Sequence, residues 1–164
     1  MASGAVSYRG QGFSLQREKN RFVLPAPFRK ALKESGEGKG VVCLVKHPRW
    51  RCVSGFGLSR VDELEAEMDR DEAQATSSGQ VFDRDLRAAQ LYTLSEVPFD
   101  DSGRFVMPNH LVNSARLETE LFFHGLGKSF LIWNPAELAR MGEGWEGIQA
   151  ACEDEVARAV GGKK

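Results

Sequence analysis

Short apolar runs along the chain predict β-strands. Around position 105, Phe105 and Met107 alternate with Arg104 and Val106, and Pro108 ends the run. This period of two predicts a strand with Phe105 on one face and Arg104 on the other. The strand should end at Pro108, because proline has no N–H to donate to a ladder. Two longer apolar runs predict further strands, at residues 40–47 and 120–133.

Three other stretches space their apolar residues as α-helices do. They cover residues 59–68, about 82–92, and a segment that begins at residue 145; "ATSSGQ" at residues 75–80 separates the first two. The residues predicted to face the core are Val61, Leu64 and Met68 in the first helix, Phe82, Leu86 and Ala89 in the second, and Trp145, Ile148, Cys152, Val156 and Ala159 in the third.

Two helix starts carry capping residues. Asn134 can cap a helix, Pro135 suits the first helical position, and Glu137 lies three residues after the cap. Ser59 and Asp62 form a similar signature at the start of the helix predicted at residues 59–68. Both helices are therefore predicted to begin at a side-chain cap.

The chain contains an internal repeat. "NRFVLPAPFRKAL" at residues 20–32 aligns with "GRFVMPNHLVNSA" at residues 103–115. In each copy a short segment of helical character follows the proline, and a β-rich run and a further helix come after it. The identical pairs are Arg21 and Arg104, Phe22 and Phe105, Val23 and Val106, and Pro25 and Pro108.

The repeated unit reads as a β-hairpin that ends in a helical turn. In "EVPFDDSGRFVMP", Asp101, Ser102 and Gly103 supply turn chemistry, and Gly103 can adopt a positive φ. One such unit is too small to bury a core by itself. Two copies therefore suggest pseudo-twofold pairing, with their strands interleaved in one small barrel.

Charge is unevenly distributed along the chain. Residues 1–60 contain 12 Lys and Arg against 3 Asp and Glu, a net charge of +9, whereas residues 61–164 have a net charge of −10. A basic first third favours a polyanionic partner, unless the two parts simply neutralise each other in the fold or the assembly. No apolar run approaches the length of a membrane span, and the N-terminus lacks a signal-peptide pattern. The three cysteines show no paired spacing. Together these features point to a cytoplasmic protein with reduced thiols.

In the second copy, Asp100 lies four residues before Arg104, with Gly103 between them and three apolar residues and Pro108 after them. This motif resembles the signature of the MraZ family of transcriptional regulators. The later run "HGLGKSFLIWNPAEL" and the duplicated layout support the resemblance, which covers roughly residues 13–141.

The resemblance implies an α+β fold, in which two tandem AbrB-like units form one double-split, swapped-hairpin β-barrel. The expected division is a first repeat at 8–57, a helical hairpin at 58–93, a second repeat at 94–140, and a C-terminal helix and tail at 141–164. It also implies a nucleoid-associated DNA-binding regulator, expected to be a repressor, that acts on the division and cell-wall gene cluster, including its own promoter. Such proteins bind short direct repeats of double-stranded promoter DNA as ring-shaped homo-oligomers.

The first copy departs from the family pattern. Arg17 stands at the position of Asp100, and Asn20 stands at that of Gly103. Asparagine still tolerates a left-handed backbone, so the turn can survive. Without the aspartate, the loop "QREKNR" is better suited to phosphate contact than to an oriented arginine. The candidate DNA-binding residues are Asp100, Gly103 and Arg104 in the second copy, and Arg17, Lys19, Arg21, Arg29 and Lys30 in the first.

The sequence argues against an enzyme, a metal site or a cofactor. "GLGKS" at residues 125–129 imitates a phosphate loop, but Phe122 occupies the required earlier glycine position, and Gly127 fits a hairpin turn better. The histidines and cysteines lack metal-ligand spacing, and His124 fits a structural role in an apolar strand. We expect no membrane partner and no small-molecule substrate.

Two other functions stay open. One is an AbrB-like antitoxin or transition-state regulator. The other is an oligomeric protein-binding scaffold whose DNA site has degenerated, since the first copy has lost its aspartate.

Overall fold

A computed structural model describes residues 6–161 and shows a mixed α+β fold. Residues 162–164, the end of the predicted C-terminal helix and tail at 141–164, lie outside the described residues. The strands are β1 (Gln11–Leu15), β2 (Arg21–Val23), β3 (Val41–Lys46), β4 (Val53–Phe56), β5 (Ser95–Pro98), β6 (Arg104–Val106), β7 (Glu120–Gly125) and β8 (Phe130–Trp133). The helices are α1 (Ala26–Ser35), α2 (Leu58–Val61), α3 (Leu64–Ser77), α4 (Arg84–Tyr92), α5 (Asn109–Ser114), α6 (Pro135–Leu138) and α7 (Glu146–Gly161).

The main sheet has six antiparallel strands in the order β1-β7-β8-β4-β3-β5. Each strand has a counterpart in the other copy: β1 corresponds to β5, β3 to β7, and β4 to β8. Exchanging the counterparts gives the order β5-β3-β4-β8-β7-β1, which is the same sheet read from its other end. β2 and β6 form a separate ladder in which Phe22 pairs with Phe105. The two copies therefore interleave about a pseudo-twofold axis.

The prediction that the two strands of each copy pair with each other as a hairpin is wrong. The turn at residues 100–104 does form, with Gly103 donating to the Asp100 carbonyl at 2.8 Å. The flanking strands, however, belong to different ladders, because β5 pairs with β3 and β6 pairs with β2. Pairing β6 with its counterpart places Phe22 and Phe105 side by side in the core, where they are 1% and 3% exposed. Burial of two large apolar side chains favours this arrangement.

The predicted barrel is not closed. Strands β1 and β5 are the two ends of the main sheet, and no ladder joins them within residues 6–161. The β2–β6 ladder contacts both end strands, since β2 packs on β1 and β6 packs on β5. Helix α7 also contacts β1. These contacts cover the sheet edges without a continuous hydrogen-bonded ring.

Aromatic side chains fill the centre of the fold. Phe28 from α1 lies against Phe123 and Phe130 of the second copy, with ring centroids 6.1 and 5.0 Å apart. A second cluster joins Trp133 to Trp145 beneath α7. As predicted, Cys152 is buried and the rest of the α7 stripe is partly buried. Both clusters require residues from distant parts of the sequence.

The predicted caps differ in outcome. Asn134 caps α6, accepting the Ala136 N–H at 3.1 Å, as predicted. Ser59 does not cap the first helix, because α2 begins after Gly57 and the Ser59 hydroxyl lies 2.6 Å from that of Ser35. The predicted helix is also divided, into α2 and α3.

The predicted inward face of α4 is wrong. Leu86 is 55% exposed and Ala89 is exposed. Instead, the face that begins at Arg84 turns towards α3, because the Arg84 guanidinium forms salt bridges to Glu65, Asp69 and Glu72 there. The half-buried face of α4 therefore contains Arg84, Arg87, Ala88 and Leu91, and differs from the face that the apolar spacing predicted.

Candidate nucleic-acid interface

The β2–β6 ladder directs both repeated arginines to the same side. Arg21 pairs with Val106, and Val23 pairs with Arg104, so these four side chains share one face. Arg21 and Arg104 are exposed, whereas the alternate phenylalanines are buried. The ladder and its two turns line a groove of about 800 Å³. The repeat thus places two basic side chains on one open surface.

The turn at residues 100–104, called here the second turn, is organised by Asp100. Its Oδ1 accepts the backbone N–H groups of Ser102 at 3.0 Å and of Arg104 at 2.9 Å. Its Oδ2 accepts the Arg104 Nε–H at 2.7 Å. The hydrogen bond from the Arg104 backbone N–H contributes most to lowering the pKa of Asp100, and the hydrogen bond from the Arg104 side chain lowers it further. Arg104 remains 68% exposed, so its guanidinium is oriented and still available.

Helix α1 holds the second turn from the side. Arg29 donates to the Ser102 carbonyl, and Lys33 Nζ lies 3.2 Å from Asp101 Oδ1. Gly103 has a φ of +86°, and a Cβ there would lie 2.7 Å from Arg29 Nη1. The glycine is required both for the backbone angle and for the approach of Arg29. We call these contacts from Arg29 and Lys33 the α1 clasp.

The turn at residues 17–21, called the first turn, repeats the backbone with weaker side-chain support. Asn20 has a φ of +60°, which confirms that asparagine preserves the left-handed turn position. Arg17 N donates to the Arg21 carbonyl at 2.9 Å, as Asp100 N does to that of Arg104 at 3.1 Å. Arg21 Nε lies 3.6 Å from Glu18 Oε2, and both side chains are largely exposed. This pair orients Arg21 less tightly than Asp100 orients Arg104.

The structure brings only some of the predicted site residues together. Four of them line the groove: Arg17, Arg21, Asp100 and Arg104. Gly103 shapes the second turn, and Arg29 contacts that turn. Lys19 and Lys30 are exposed outside the groove lining.

Sequence reasoning missed three supporting residues. Gln16 Oε1 accepts the Asn20 N–H at 2.8 Å, Glu18 pairs with Arg21, and Lys33 pairs with Asp101. The spacing of Glu18 three residues before Arg21 was a usable signal. The Lys33 contact joins positions in different copies, and no local pattern indicates it.

The remaining candidate chemistry has structural roles. His124 is buried, and its Nε2 accepts the Trp133 indole N–H at 3.0 Å, which confirms a structural histidine. Gly127 has a φ of +92° in the turn between β7 and β8, as predicted for "GLGKS". Cys43, Cys52 and Cys152 are buried free thiols.

Residues 6–161 contain no group of three or more His, Cys, Asp or Glu residues arranged to hold a metal ion. No helix in this part of the chain is long and apolar enough to cross a membrane.

Comparison with known proteins identifies the family. The family model described as "MraZ protein, putative antitoxin-like" matches residues 93–157. A transcriptional regulator MraZ from Rhodospirillum rubrum is 36% identical over 124 residues, which cover 73% of this chain and 74% of the relative. The chain belongs to the MraZ family. Proteins of the same name from Gluconobacter oxydans (32% over 123 residues, 74% and 71% covered) and Ruegeria pomeroyi (28% over 138 residues, 80% of each covered) are also similar.

The MraZ family match falls on the second copy. Residues 93–157 include β5 to β8, the second turn and most of α7, whereas the first turn lies outside them. The region that matches the MraZ model is thus also the region where Asp100 orients Arg104. The relatives named above extend the similarity over most of the chain.

Proposed function

We propose that this chain is a DNA-binding transcriptional regulator, acting as a repressor of the division and cell-wall gene cluster and of its own promoter. One observation carries the proposal: Asp100 orients Arg104 on an exposed face that Arg21 shares. The names of the MraZ relatives support the same class of function.

The two turns have different tasks in this proposal. Arg104 donates two hydrogen bonds to the O6 and N7 atoms of a guanine in the major groove, because its guanidinium is already oriented. Arg17, Lys19, Arg21 and Lys30 contact phosphates, which gives affinity with little sequence information. Arg29 positions the second turn by donating to the Ser102 carbonyl.

Assembly strengthens this binding. One subunit presents a single pair of turns, so we propose a homo-oligomeric ring that presents many pairs to short direct repeats. Linked weak sites gain avidity without new contacts. The basic face of each subunit meets DNA while the acidic remainder faces away, which reconciles DNA binding with a net charge of −1.

We further propose that the two copies are swapped AbrB-like units at residues 8–57 and 94–140, joined by the helical segment at 58–93. The pseudo-twofold strand order supports this division. A regulator of this kind acts in the cytoplasm, associated with the nucleoid.

Footprinting on the DNA upstream of the protein's own gene tests the function. We expect protection of short repeats, and binding that falls steeply between low and moderate salt, because each neutralised phosphate releases counterions. Random duplex of equal length is the control. Absence of binding at low salt would overturn the proposal and favour the protein-binding scaffold.

A further inference from the structure

A small cavity lies apart from the DNA-facing groove. It has a volume of about 150 Å³ and shares no lining residue with that groove. Its walls come from the β3–β4 hairpin, α2, α3, α4 and the turn between β7 and β8. None of the described residues that line it is acidic. The polar residues of the lining include Lys46, His47, Ser54, Arg60, Arg87 and Ser129. We call this space the β3–β4 cavity.

Arg60 lines this cavity and has one buried donor atom without a partner among the described residues. Its side chain is only 16% exposed, and its Nη2 lies 3.0 Å from Glu67 Oε2. The guanidinium lies over the Phe56 ring, 5.8 Å from its centroid. Arg60 Nη1 is buried and finds no acceptor among residues 6–161. Buried donors are nearly always satisfied, so this atom indicates an acceptor supplied from outside the chain.

Lys46 and Arg87 add positive charge that no carboxylate neutralises. Neither forms a salt bridge within the described part of the chain. Lys46 Nζ donates to the carbonyls of His47 and Trp50, both at 2.7 Å, which leaves one of its three hydrogens free. The Arg84 guanidinium, on the same helix as Arg87, is by contrast surrounded by three carboxylates.

The pKa of His47 is affected by the positive charges around it. Burial, followed by the charges of Lys46, Arg49 and Arg87, lowers its pKa to about 4. The imidazole is therefore neutral at pH 7. Its Nδ1 accepts the N–H groups of Arg49 and Trp50 at 3.1 and 3.2 Å, so the proton lies on Nε2. His47 thus offers one more hydrogen-bond donor.

We propose that the β3–β4 cavity binds a phosphate group. Arg60 Nη1 and the guanidinium of Arg87 supply charged donors, Lys46 supplies a third, and the hydroxyls of Ser54 and Ser129 complete a set suited to a tetrahedral oxyanion. The phosphate belongs either to a small molecule or to a nucleic-acid backbone. The apolar walls, which include Val45, Phe56 and Leu91, reduce competition from water. The proposal does not depend on sequence-specific DNA binding.

Titration of the full-length chain with inorganic phosphate and pyrophosphate tests the site. Calorimetry and thermal unfolding should show saturable binding, compared with sodium chloride at equal ionic strength. Arg87→Gln should weaken binding about tenfold or more, since it removes a charge-assisted contact. Arg70→Gln is the matched control, because Arg70 is exposed on α3 outside the cavity. A shift no larger than that with chloride, or an equal response of both variants, would overturn the proposal.

A second variant addresses the buried charge pair. Arg60→Met combined with Glu67→Gln removes both charges together, so that neither is left unpaired in the interior. Circular dichroism establishes that the variant is folded. The folded double variant should lose phosphate binding, and unchanged binding would contradict the role of Arg60.

Duplex DNA distinguishes the source of the phosphate. If it comes from the DNA backbone, Arg87→Gln should weaken binding to random duplex and reduce its salt dependence by about one counterion. If it comes from a small molecule, the variant should lose phosphate binding while duplex binding stays unchanged. Because the phosphate titration contains no DNA, failure of the site and failure of the proposed function give different results.

Discussion

The first and second turns share a backbone and differ in what supports it. Each has a residue with positive φ before the arginine, Asn20 in one and Gly103 in the other, and each closes with a main-chain hydrogen bond to the carbonyl of that arginine. The second turn adds three hydrogen bonds to the Asp100 carboxylate and the α1 clasp. The first turn has one longer ion pair and one side-chain hydrogen bond, in which Gln16 Oε1 accepts the Asn20 N–H. Duplication has thus preserved shape while side-chain chemistry has diverged.

The difference lies in how much order each arginine retains. A guanidinium held by a carboxylate at 2.7 Å keeps one orientation and can distinguish base edges. A loosely paired guanidinium beside Arg17 and Lys19 provides charge that suits any phosphate. In the proposed function, the same fold supplies one turn for discrimination and one for affinity.

The largest expected effect is on sequence preference. Arg104→Ala should lower the preference for cognate over random DNA by roughly 1–3 kcal/mol, the value of a bidentate base contact. Arg21→Ala is the matched control and should weaken both duplexes alike. Competition binding measures the ratio. Equal effects of the two variants on that ratio would mean that the turns are not functionally different.

Stability should also separate the turns. Gly103→Ala places an L side chain at φ +86° and brings its Cβ against Arg29. The free energy of unfolding should therefore fall by about 1–2 kcal/mol. Asn20→Gly relieves a left-handed side chain and should leave the free energy of unfolding equal or slightly higher. Urea denaturation measures both. An unchanged free energy of unfolding for Gly103→Ala would contradict the strain assigned to φ +86°.

The α1 clasp should have a smaller effect. Arg29→Met retains the aliphatic packing and removes the bond to the Ser102 carbonyl. We expect a three- to tenfold loss of cognate preference with an unchanged salt slope, since about one hydrogen bond of positioning is lost. Lys30→Ala, one residue along the helix, is the control and should reduce the salt slope instead. A reduced slope for Arg29→Met would make Arg29 a phosphate contact, as the sequence suggested.

The smallest effect is expected in the first turn. Lys19→Ala should weaken cognate and random DNA equally, by a few-fold, and lower the salt slope by about one. Measurements at several salt concentrations give both values. A selective loss of cognate binding would assign base recognition to the first turn.

The sequence predicted local geometry well and long-range pairing poorly. Alternation around Phe105 correctly assigned the buried and exposed faces, and the asparagine at position 20 correctly indicated a left-handed turn. A period of two identifies a strand's faces but not its partner, so the pairing of β6 with β2 was missed. The half-buried face of α4 includes Arg84, whose carboxylate partners lie on α3, and the α1 clasp joins the two copies. Neither leaves a periodic signal.

The mirrored strand order has a consequence for the timing of folding. Phe13 in β1 pairs with Phe122 in β7, so the first strand stays without its ladder until most of the chain has been synthesised. Neither copy can complete its sheet early, because β3 also requires β5 from the second copy. Such non-local pairing slows folding and leaves strand edges open to other chains in the meantime. A nascent chain of this protein would therefore acquire its structure late and almost all at once.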